Sequence, residues 1–367
     1  MPDKKIVIDL RNHIHDGVAE GDDVVLHWHE IISAPTRDIH DGNPGRLVLR
    51  PGSVPTQAIE QGTGRRTRPP MTGPTTATAL LIAANIASNA PDRRADAHLY
   101  DIQLDVLRRG FAPHGLTIDP VRWMEAVDWT RFGAVLVNCA WDYQDRHEDF
   151  LATLDVIAAT GVPVFNSPAA VRWNIRKTYL REIEARGVPI IPTLWRDHPK
   201  ASDIRDAMAT FGADDVVLKR QVGGGARGQT RYTKASMPDD DPVLDRPGMI
   251  QPFVPSIATE GEYSFLFIDS VFSHALIKRA AQGDYRIQEA YGGTSQPITP
   301  TPNDLHQASA VLDALDESPL YARVDMVRGA NGALLLMELE VIEPYLFPQD
   351  GPGIGSMLGE ALAKRIC

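Results

Sequence analysis

At 367 residues, and about 100–200 residues per domain, the chain has room for two or three packed units and is far too long for a lone peptide module or a disulfide mini-scaffold. A composition of 43% hydrophobic and 23% charged residues, with 29 glycines and 28 prolines, indicates neither disorder nor a fibrous repeat. Forty-eight acids against 37 bases give a formal charge of −11, which argues against nucleic acid and anionic membranes as partners.

The polar start Met1-Pro2-Asp3-Lys4-Lys5 carries no apolar core of a secretory leader. Two strand-like pieces follow at 5–10 and 24–28, in a leading segment that holds five of the eleven histidines. His13 with His15, and His27 with His29, are i, i+2 pairs that would share a strand face, a geometry usable for zinc or another borderline metal. The plainer reading is hydrogen bonding to Asp16 or Glu30. Sixteen of the 28 residues at 51–78 are Gly, Pro or Thr, which reads as a linker and closes an N-terminal extension at 1–75.

Beyond it, strand and helix signals alternate. Residues 79–84 form an apolar run far shorter than the roughly 20 residues of a membrane span, and read as a buried strand. Leu99, Ile102, Val106 and Leu107 set a helical spacing over 97–109, closed by Gly110. A strand at 134–138, a helix at 149–160 stopped by Gly161 and a strand at 162–165 complete an α/β domain, 76–170, with a parallel sheet. With only Cys139 and Cys367, neither a disulfide framework nor a cysteine zinc site is available, and a reducing cytoplasm is the expected setting. No histidine can be placed beside Cys139 to make it a nucleophile.

A smaller α+β unit is expected over 171–248: a helix at 172–185 ending at Gly187, a strand at 188–193, a helix at 202–211, and a strand at 216–220 that runs into Gly223-Gly224-Gly225-Ala226-Arg227-Gly228. Strands dominate 249–367, at 249–254, 262–268, 271–278, 321–327 and 333–341, with one helix at 305–315.

The last two strands carry the strongest chemical signal. Asn331-Gly332 suits a two-residue type I′ turn, which needs positive φ at both positions. With Ala330 facing Ala333, Asp325 falls opposite Glu338 and Arg323 opposite Glu340, all on one face. The other face would carry Val324, Met326, Leu335, Met337, Leu339 and Val341 as core. Opposed carboxylates repel unless a cation sits between them, and oxygen-only ligands favour a hard ion such as magnesium. The competing reading is a solvated edge on which Arg323 neutralises Glu340 and Asp325 faces water.

Lys219 stands at a strand end before the glycine cluster, where backbone N–H groups can approach a phosphate unhindered. The order is lysine first and glycines after, so this is neither a Walker loop nor a dinucleotide fingerprint. Lys177, Lys278, Arg279 and Arg286 supply further cations. Each alone is a solvated charge; converging with a metal, they make a phosphoryl-transfer site.

These pieces together resemble a family. Residues 171–180 (Val-Arg-Trp-Asn-Ile-Arg-Lys-Thr-Tyr-Leu), Gly187-Val188-Pro189, Val217-Leu218-Lys219 with its loop, Gln251-Pro252-Phe253-Val254, Ala322-Arg323-Val324-Asp325 and Glu338-Leu339-Glu340 are similar to an ATP-grasp ligase. The likeness is to the glutathione synthetase and ribosomal-protein-modification branch, particularly the cycloserine-biosynthesis cyclo-ligase group. Trp141-Asp142-Tyr143 and Ile342-Glu343-Pro344 add to it. It covers about residue 80 to the end and leaves the first 70 residues outside.

The resemblance implies a three-part ATP-grasp fold of α/β and α+β units, with ATP and Mg2+, or Mn2+ as a substitute, between two of them. Carried over by position, Lys177 and Lys219 contact ATP, Gly224 and Gly225 cover its phosphates, Gln251, Phe253 and Val254 form the adenine hinge, and Glu262 binds ribose. Asp325, Glu338 and Glu340 match the metal ligands; Arg286 and Lys278 match cations near the γ-phosphate and acyl phosphate. Two positions depart from the pattern: Glu340 stands where Asn is common, and Asn138-Cys139-Ala140 stands where an arginine is expected before Trp141. The implied activity is ligation of a small-molecule carboxylate to an amine through an acyl phosphate, giving ADP and phosphate, in amino-acid, peptide or natural-product metabolism. Intramolecular ring closure and ATP binding without chemistry are the alternatives. A homodimer is the assembly expected from frequency alone.

Overall fold

The computed structural model describes residues 75–366 apart from 239–240 and 289–290, together with two strands nearer the start. These two, β1 (Ile6–Asp9) and β2 (Arg46–Leu49), pair antiparallel with Ile6 opposite Leu49. They belong to a unit at Met1–Pro69; all other elements belong to a second unit at Pro70–Cys367. The strand expected at 24–28 and both histidine pairs lie outside the described residues.

In the second unit, β3 (Thr76–Ile82), β4 (Leu116–Arg122), β5 (Ala134–Cys139) and β6 (Val164–Phe165) form a parallel sheet in the order β4-β3-β5-β6. Residues 76–78, read as linker, belong to this sheet, and Thr78 is fully buried. Strand β4 escaped the sequence reading because Pro120 interrupts it, yet proline is tolerated on an edge strand. The crossover helices are α1 (Ala97–Phe111) and α2 (His147–Ala159). The inward face of α1 is Tyr100, Gln103, Leu104, Leu107 and Phe111, whereas Ile102, expected inside, is exposed.

The single helix expected over 172–185 is broken into α3 (Pro168–Asn174) and α4 (Tyr179–Ala185). The residues at the break turn inward. The Asn174 side-chain amide donates to the Leu339 carbonyl at 2.8 Å, and the Tyr179 hydroxyl both donates to that carbonyl, at 3.1 Å, and accepts the Leu339 N–H, at 2.8 Å. Lys177 lies in the break. Residues 188–193 make one isolated bridge, Ile190 to Leu336, rather than a strand, because Pro189 and Pro192 have no N–H to donate to a ladder. The strand follows as β7 (Leu194–Arg196), which joins β8 (Asp215–Arg220), β9 (Thr230–Thr233) and β10 (Gly248–Pro252) in an antiparallel sheet ordered β7-β10-β8-β9. Behind it α5 (Ala201–Phe211) packs Ile204, Ala207 and Met208 on Val216, Leu218 and Ile250. The glycine cluster is the β8–β9 connection.

The third sheet is antiparallel, built from β11 (Glu262–Ile268), β12 (Val271–Arg279), β13 (Thr294–Ile298), β14 (Tyr321–Arg328) and β15 (Leu334–Glu340) in the order β13-β12-β11-β14-β15. Helix α6 (Pro302–Asp313) is N-capped by the Thr301 hydroxyl, and α7 (Ile354–Ile366) ends the described chain. Helix α7 lies directly on α1: a Cβ on Gly110 would sit 2.1 Å from the Gly355 carbonyl carbon. No helix among the described residues is long and apolar enough to cross a membrane.

The β14–β15 hairpin opposes Asp325 to Glu338 and Arg323 to Glu340, as expected, but by a different route. Of the two turn residues only Gly332 has positive φ, at 83°, and the Gly329 N–H bonds the Ala333 carbonyl at 2.8 Å, so the loop is longer than a type I′ turn. A bulge between Asp325 and Met326 then restores the register at the acids. Its consequence is that Leu334 and Leu336, rather than Leu335 and Met337, enter the main core with Val324, Met326, Leu339 and Val341. Leu335 and Met337 instead join Ile191, Ile257, Ile287 and Val327 in a separate apolar cluster.

Candidate active site

A cleft of about 500 Å³ is lined from all three sheets. Lys177, Lys219, Gly224, Gly225, Gln251, Phe253, Val254, Glu262, Lys278, Arg286, Asp325, Glu338 and Glu340 all line it, so the structure brings together every residue singled out for the site. Neighbouring strands explain much of this convergence: β11 and β12 put Glu262 opposite Lys278, and β11 and β14 put Ser264 opposite Asp325. One wall is apolar, with Ile191, Val217, Phe253, Val254, Ile257, Val327 and Met337. Gln251 is 1% exposed; its amide donates to the Thr193 hydroxyl at 2.9 Å, and its Oε1 has no partner among the described residues.

Most charges in the cleft are already paired. Lys177 Nζ lies 2.6 Å from Glu338 Oε1 and donates to the Gly223 carbonyl at 2.5 Å. Lys278 Nζ lies 2.5 Å from Glu262 and 3.3 Å from Asp325. Arg323 donates to both oxygens of Asp325 at 2.9–3.0 Å and also to Glu340. Asp325 therefore does not face water: it is 3% exposed and accepts the Ser264 hydroxyl at 2.5 Å. Burial disfavours its ionised form, but Arg323 and Lys278 outweigh burial and hold the carboxyl at about 2. Arg286 reaches the cleft with its guanidinium forked onto Asp284 at 2.7–3.2 Å.

Three groups are left less satisfied. Burial pushes the Glu340 carboxyl up to about 8, with Glu338, Asp325 and Glu343 adding to what Arg323 only partly offsets. Burial likewise raises Glu343 to about 7 against the pull of Lys177. Lys219 is lowered by burial, in spite of Glu338 and Glu262, and its ammonium makes no ion pair or hydrogen bond among the described residues. Lys177 differs in sign: burial lowers it, but its contact with Glu338 wins and the group is raised.

No three His, Cys, Asp or Glu among the described residues form a preassembled metal cage. The donor chemistry still fits a hard divalent ion. Glu338 and Glu340 share one face of β15 and supply only oxygen, and the ionised form of Glu340, disfavoured by burial and the neighbouring acids and only partly favoured by Arg323, is what a bound cation would stabilise. Asp325, bound by Arg323, Lys278 and Ser264, is the least available of the three expected ligands.

The place where an arginine was expected before Trp141 has another use. Asn138 and Cys139 are buried, and the Asn138 amide donates to the Pro344 carbonyl at 3.2 Å. Burial pushes the Cys139 thiol up to about 12, which removes it as a nucleophile. Trp141 donates to the Glu343 carbonyl at 3.0 Å and Gln144 to the Glu343 carboxylate at 3.2 Å. The place of Glu343 has no local signal, because contacts about 200 positions apart leave no mark in sequence pattern.

Residues 80–166 match the family described as the N-terminal domain of D-cycloserine synthetase DcsG. The cycloserine biosynthesis protein DcsG of Streptomyces lavendulae is 30% identical over 272 residues, which are 69% of this chain and 90% of that protein. The chain belongs to the DcsG family of ATP-grasp ligases. The crystal structure of D-cycloserine synthetase DcsG superposes on this ligase with a TM-score of 0.70 at 26% identity, over 79% of the ligase and 100% of that chain. The ATP-grasp ligase PsnB, solved with a minimal precursor, Mg and ADP, shares the fold with a TM-score of 0.55 at 17% identity, over 81% and 99% of the two chains. A glutathione synthetase of Prochlorococcus marinus is 29% identical over 222 residues, 56% of the ligase and 67% of that protein. The ATP-grasp fold expected from the resemblance is thus the one found, and the protein is an ADP-forming carbon–nitrogen ligase, which sets aside the reading as a non-catalytic sensor.

Proposed function

We propose that this ligase binds ATP with magnesium in the cleft, phosphorylates the carboxylate of a small molecule, and joins the acyl phosphate to an amine. The observation that carries the reading is Lys219. A half-buried ammonium that makes no ion pair among the described residues, beside a glycine loop in the same cleft as Glu338 and Glu262, is arranged for an incoming polyanion.

A carboxylate is a poor electrophile. Its oxygen attacks the γ-phosphorus, and the bond to the β–γ bridging oxygen breaks with its electrons on ADP. The amine nitrogen then attacks the carbonyl carbon, the C–O bond to phosphate breaks, and phosphate leaves as one proton departs from nitrogen. In this reading Phe253, Val254 and the apolar wall hold the base, with Gln251 at the hinge, and Glu262 holds the ribose. Lys177, Lys219, Gly224 and Gly225 hold the phosphates. Lys278 and Arg286 stabilise charge on the group being transferred. Glu338 and Glu340, joined by Asp325, would hold magnesium, whose chemistry is to neutralise charge between phosphate oxygens; manganese would serve in its place. Water kept out of the cleft spares the acyl phosphate from hydrolysis.

Ring closure within one substrate is the second reading, favoured by the match to DcsG over 90% of that protein's length. Product mass from one substrate against two separates the readings. For the site itself, Glu338→Gln should lower ADP formation at least a hundredfold, the several kcal/mol expected of a lost metal ligand, in a variant that still folds by circular dichroism. Retained turnover would refute the metal assignment.

A further inference from the structure

The segment that follows β15 is held from outside its own sheet. Trp141 donates to the Glu343 carbonyl at 3.0 Å and Asn138 to the Pro344 carbonyl at 3.2 Å, while Gln103 accepts the Leu346 N–H at 2.7 Å. Gln103 in turn donates to Asn138 at 2.5 Å, and both side chains are buried. This frame from α1 and β5 delivers the Glu343 side chain into the cleft, where Gln144 donates to its carboxylate at 3.2 Å. The glycine loop lies over the same spot: a Cβ on Gly224 would be 3.2 Å from the Gln144 amide and 3.5 Å from Glu343 Oε1.

Among the described carboxylates that line the cleft, Glu343 is held differently from the rest. Glu338 has Lys177, Glu340 and Asp325 share Arg323, Glu262 has Lys278, and Asp96 has Arg94. Asp142 has no cation within ion-pair distance, but both its oxygens are taken, by the Ala84 N–H at 3.0 Å and the Trp123 indole N–H at 2.6 Å. Glu343 receives only neutral donors, the Gln144 amide and the Tyr143 hydroxyl, with no cation in ion-pair contact. A nearby acceptor at this side of the cleft is unanswered: Asn85 Oδ1, on the connection after β3, is buried without a partner among the described residues. Acceptors withdrawn from water and left short of donors cost free energy unless a ligand supplies N–H groups.

We infer that Glu343 is the recognition group for the amino nitrogen of the substrate, which is a small amine-bearing acid of amino-acid type. Its carboxylate receives the N–H bonds of that amine at the junction of the first sheet, the glycine loop and the acidic hairpin. The inference rests on the ligase reading above and assigns one end of the substrate within it.

The test is calorimetry on the full chain. AMP-PNP with Mg2+ is titrated first; the loaded protein then receives a panel of L- and D-amino acids, each beside the 2-hydroxy acid of the same side chain. Wild type should bind at least one amine-bearing acid, and its hydroxy counterpart at least about tenfold more weakly, as the loss of a charge-assisted hydrogen bond requires. Glu343→Gln should weaken the amine-bearing acid roughly tenfold or more, leave the hydroxy acid unchanged, and keep AMP-PNP affinity within about twofold. Glu343→Asp, which keeps the charge on a shorter arm, should retain part of the preference and carries the test if the glutamine variant does not fold. Equal binding of amine and hydroxy acids, no binding of any amine-bearing acid, or equal weakening of both by the variant overturns the inference. So does a loss of AMP-PNP affinity in Glu343→Gln, which would move Glu343 to the nucleotide. Failure of wild type to bind AMP-PNP would instead bring down the ligase reading of the cleft.

Discussion

Lys177 and Lys219 line the same cleft and are perturbed in opposite directions. Glu338 stabilises the charge on Lys177, whereas burial works against the charge on Lys219 and Glu338 and Glu262 offset it only in part. A lysine whose folded pKa lies below its unfolded value costs stability wherever it stays protonated, and that cost fades as pH rises through the folded value. A bound triphosphate would raise the same group, so nucleotide binding takes up a proton between the free and bound values. Lys219→Met should therefore raise the melting temperature of the unliganded protein while weakening AMP-PNP roughly tenfold or more. Wild-type affinity should fall as pH rises through the free-protein value, and the variant's should not. Scanning fluorimetry and calorimetry at neutral and alkaline pH check both signs. Lysines of this kind are legible in sequence, because strand end, glycine loop and charge are adjacent. Glu343 and Asn138 are not, because their roles are set by partners on other sheets.

The elements show what local pattern can and cannot decide. The acidic hairpin was readable in part, since alternation puts Arg323 with Asp325 on one face of β14 and Glu338 with Glu340 on one face of β15, and the register at the acids is the expected one. Its turn and bulge were not readable: a one-residue change at the loop is cancelled by a one-residue bulge, and only tertiary packing of Leu334 and Leu336 selects that pair. The break between α3 and α4 has the same origin, because Asn174 and Tyr179 bond β15 rather than continue one helix. The glycine loop offers a test at this scale. Arg220, Arg227 and Arg246 approach Asp145 at 3.3, 2.9 and 3.7 Å, which pins the loop and the strand before it to the connection after β5. These pairs are half-exposed, so their joint contribution is only about 1 kcal/mol. Asp145→Asn should leave global stability nearly unchanged yet speed tryptic cleavage after Arg227 several-fold. Saturating AMP-PNP with Mg2+ should restore protection in the variant if the loop closes on phosphate.

Over the whole molecule, the cleft depends on how the first sheet and the third are held together. The alternating β/α pattern made the parallel sheet predictable, and the strand-rich second half made the antiparallel one predictable. That α7, the last helix, packs on α1 of the first domain could not be read, because the contact is made by glycines. Gly110, Gly355 and Gly359 allow the two helix backbones to touch: a Cβ on Gly110 would lie 2.1 Å from Gly355 and one on Gly359 2.7 Å from the Gly110 carbonyl. The segment bearing Glu343 and Tyr345 runs directly into α7, and α1 also carries Gln103, which accepts the Leu346 N–H. Spreading the helices should therefore displace that segment. Gly110→Ala should cost about 1–3 kcal/mol, the range for an overpacked contact, read as a lower denaturation midpoint at constant slope. Gly161→Ala is the contrasting case, since its φ of +82° is strained for alanine but a Cβ there meets nothing within 4 Å. Both variants should lose stability, but only Gly110→Ala should also weaken substrate binding to the AMP-PNP-loaded protein while nucleotide affinity, assigned in the proposed reading to β8, β10 and the glycine loop, is retained. Equal effects of the two glycines on substrate affinity would show that the α1–α7 contact holds the fold without setting the cleft.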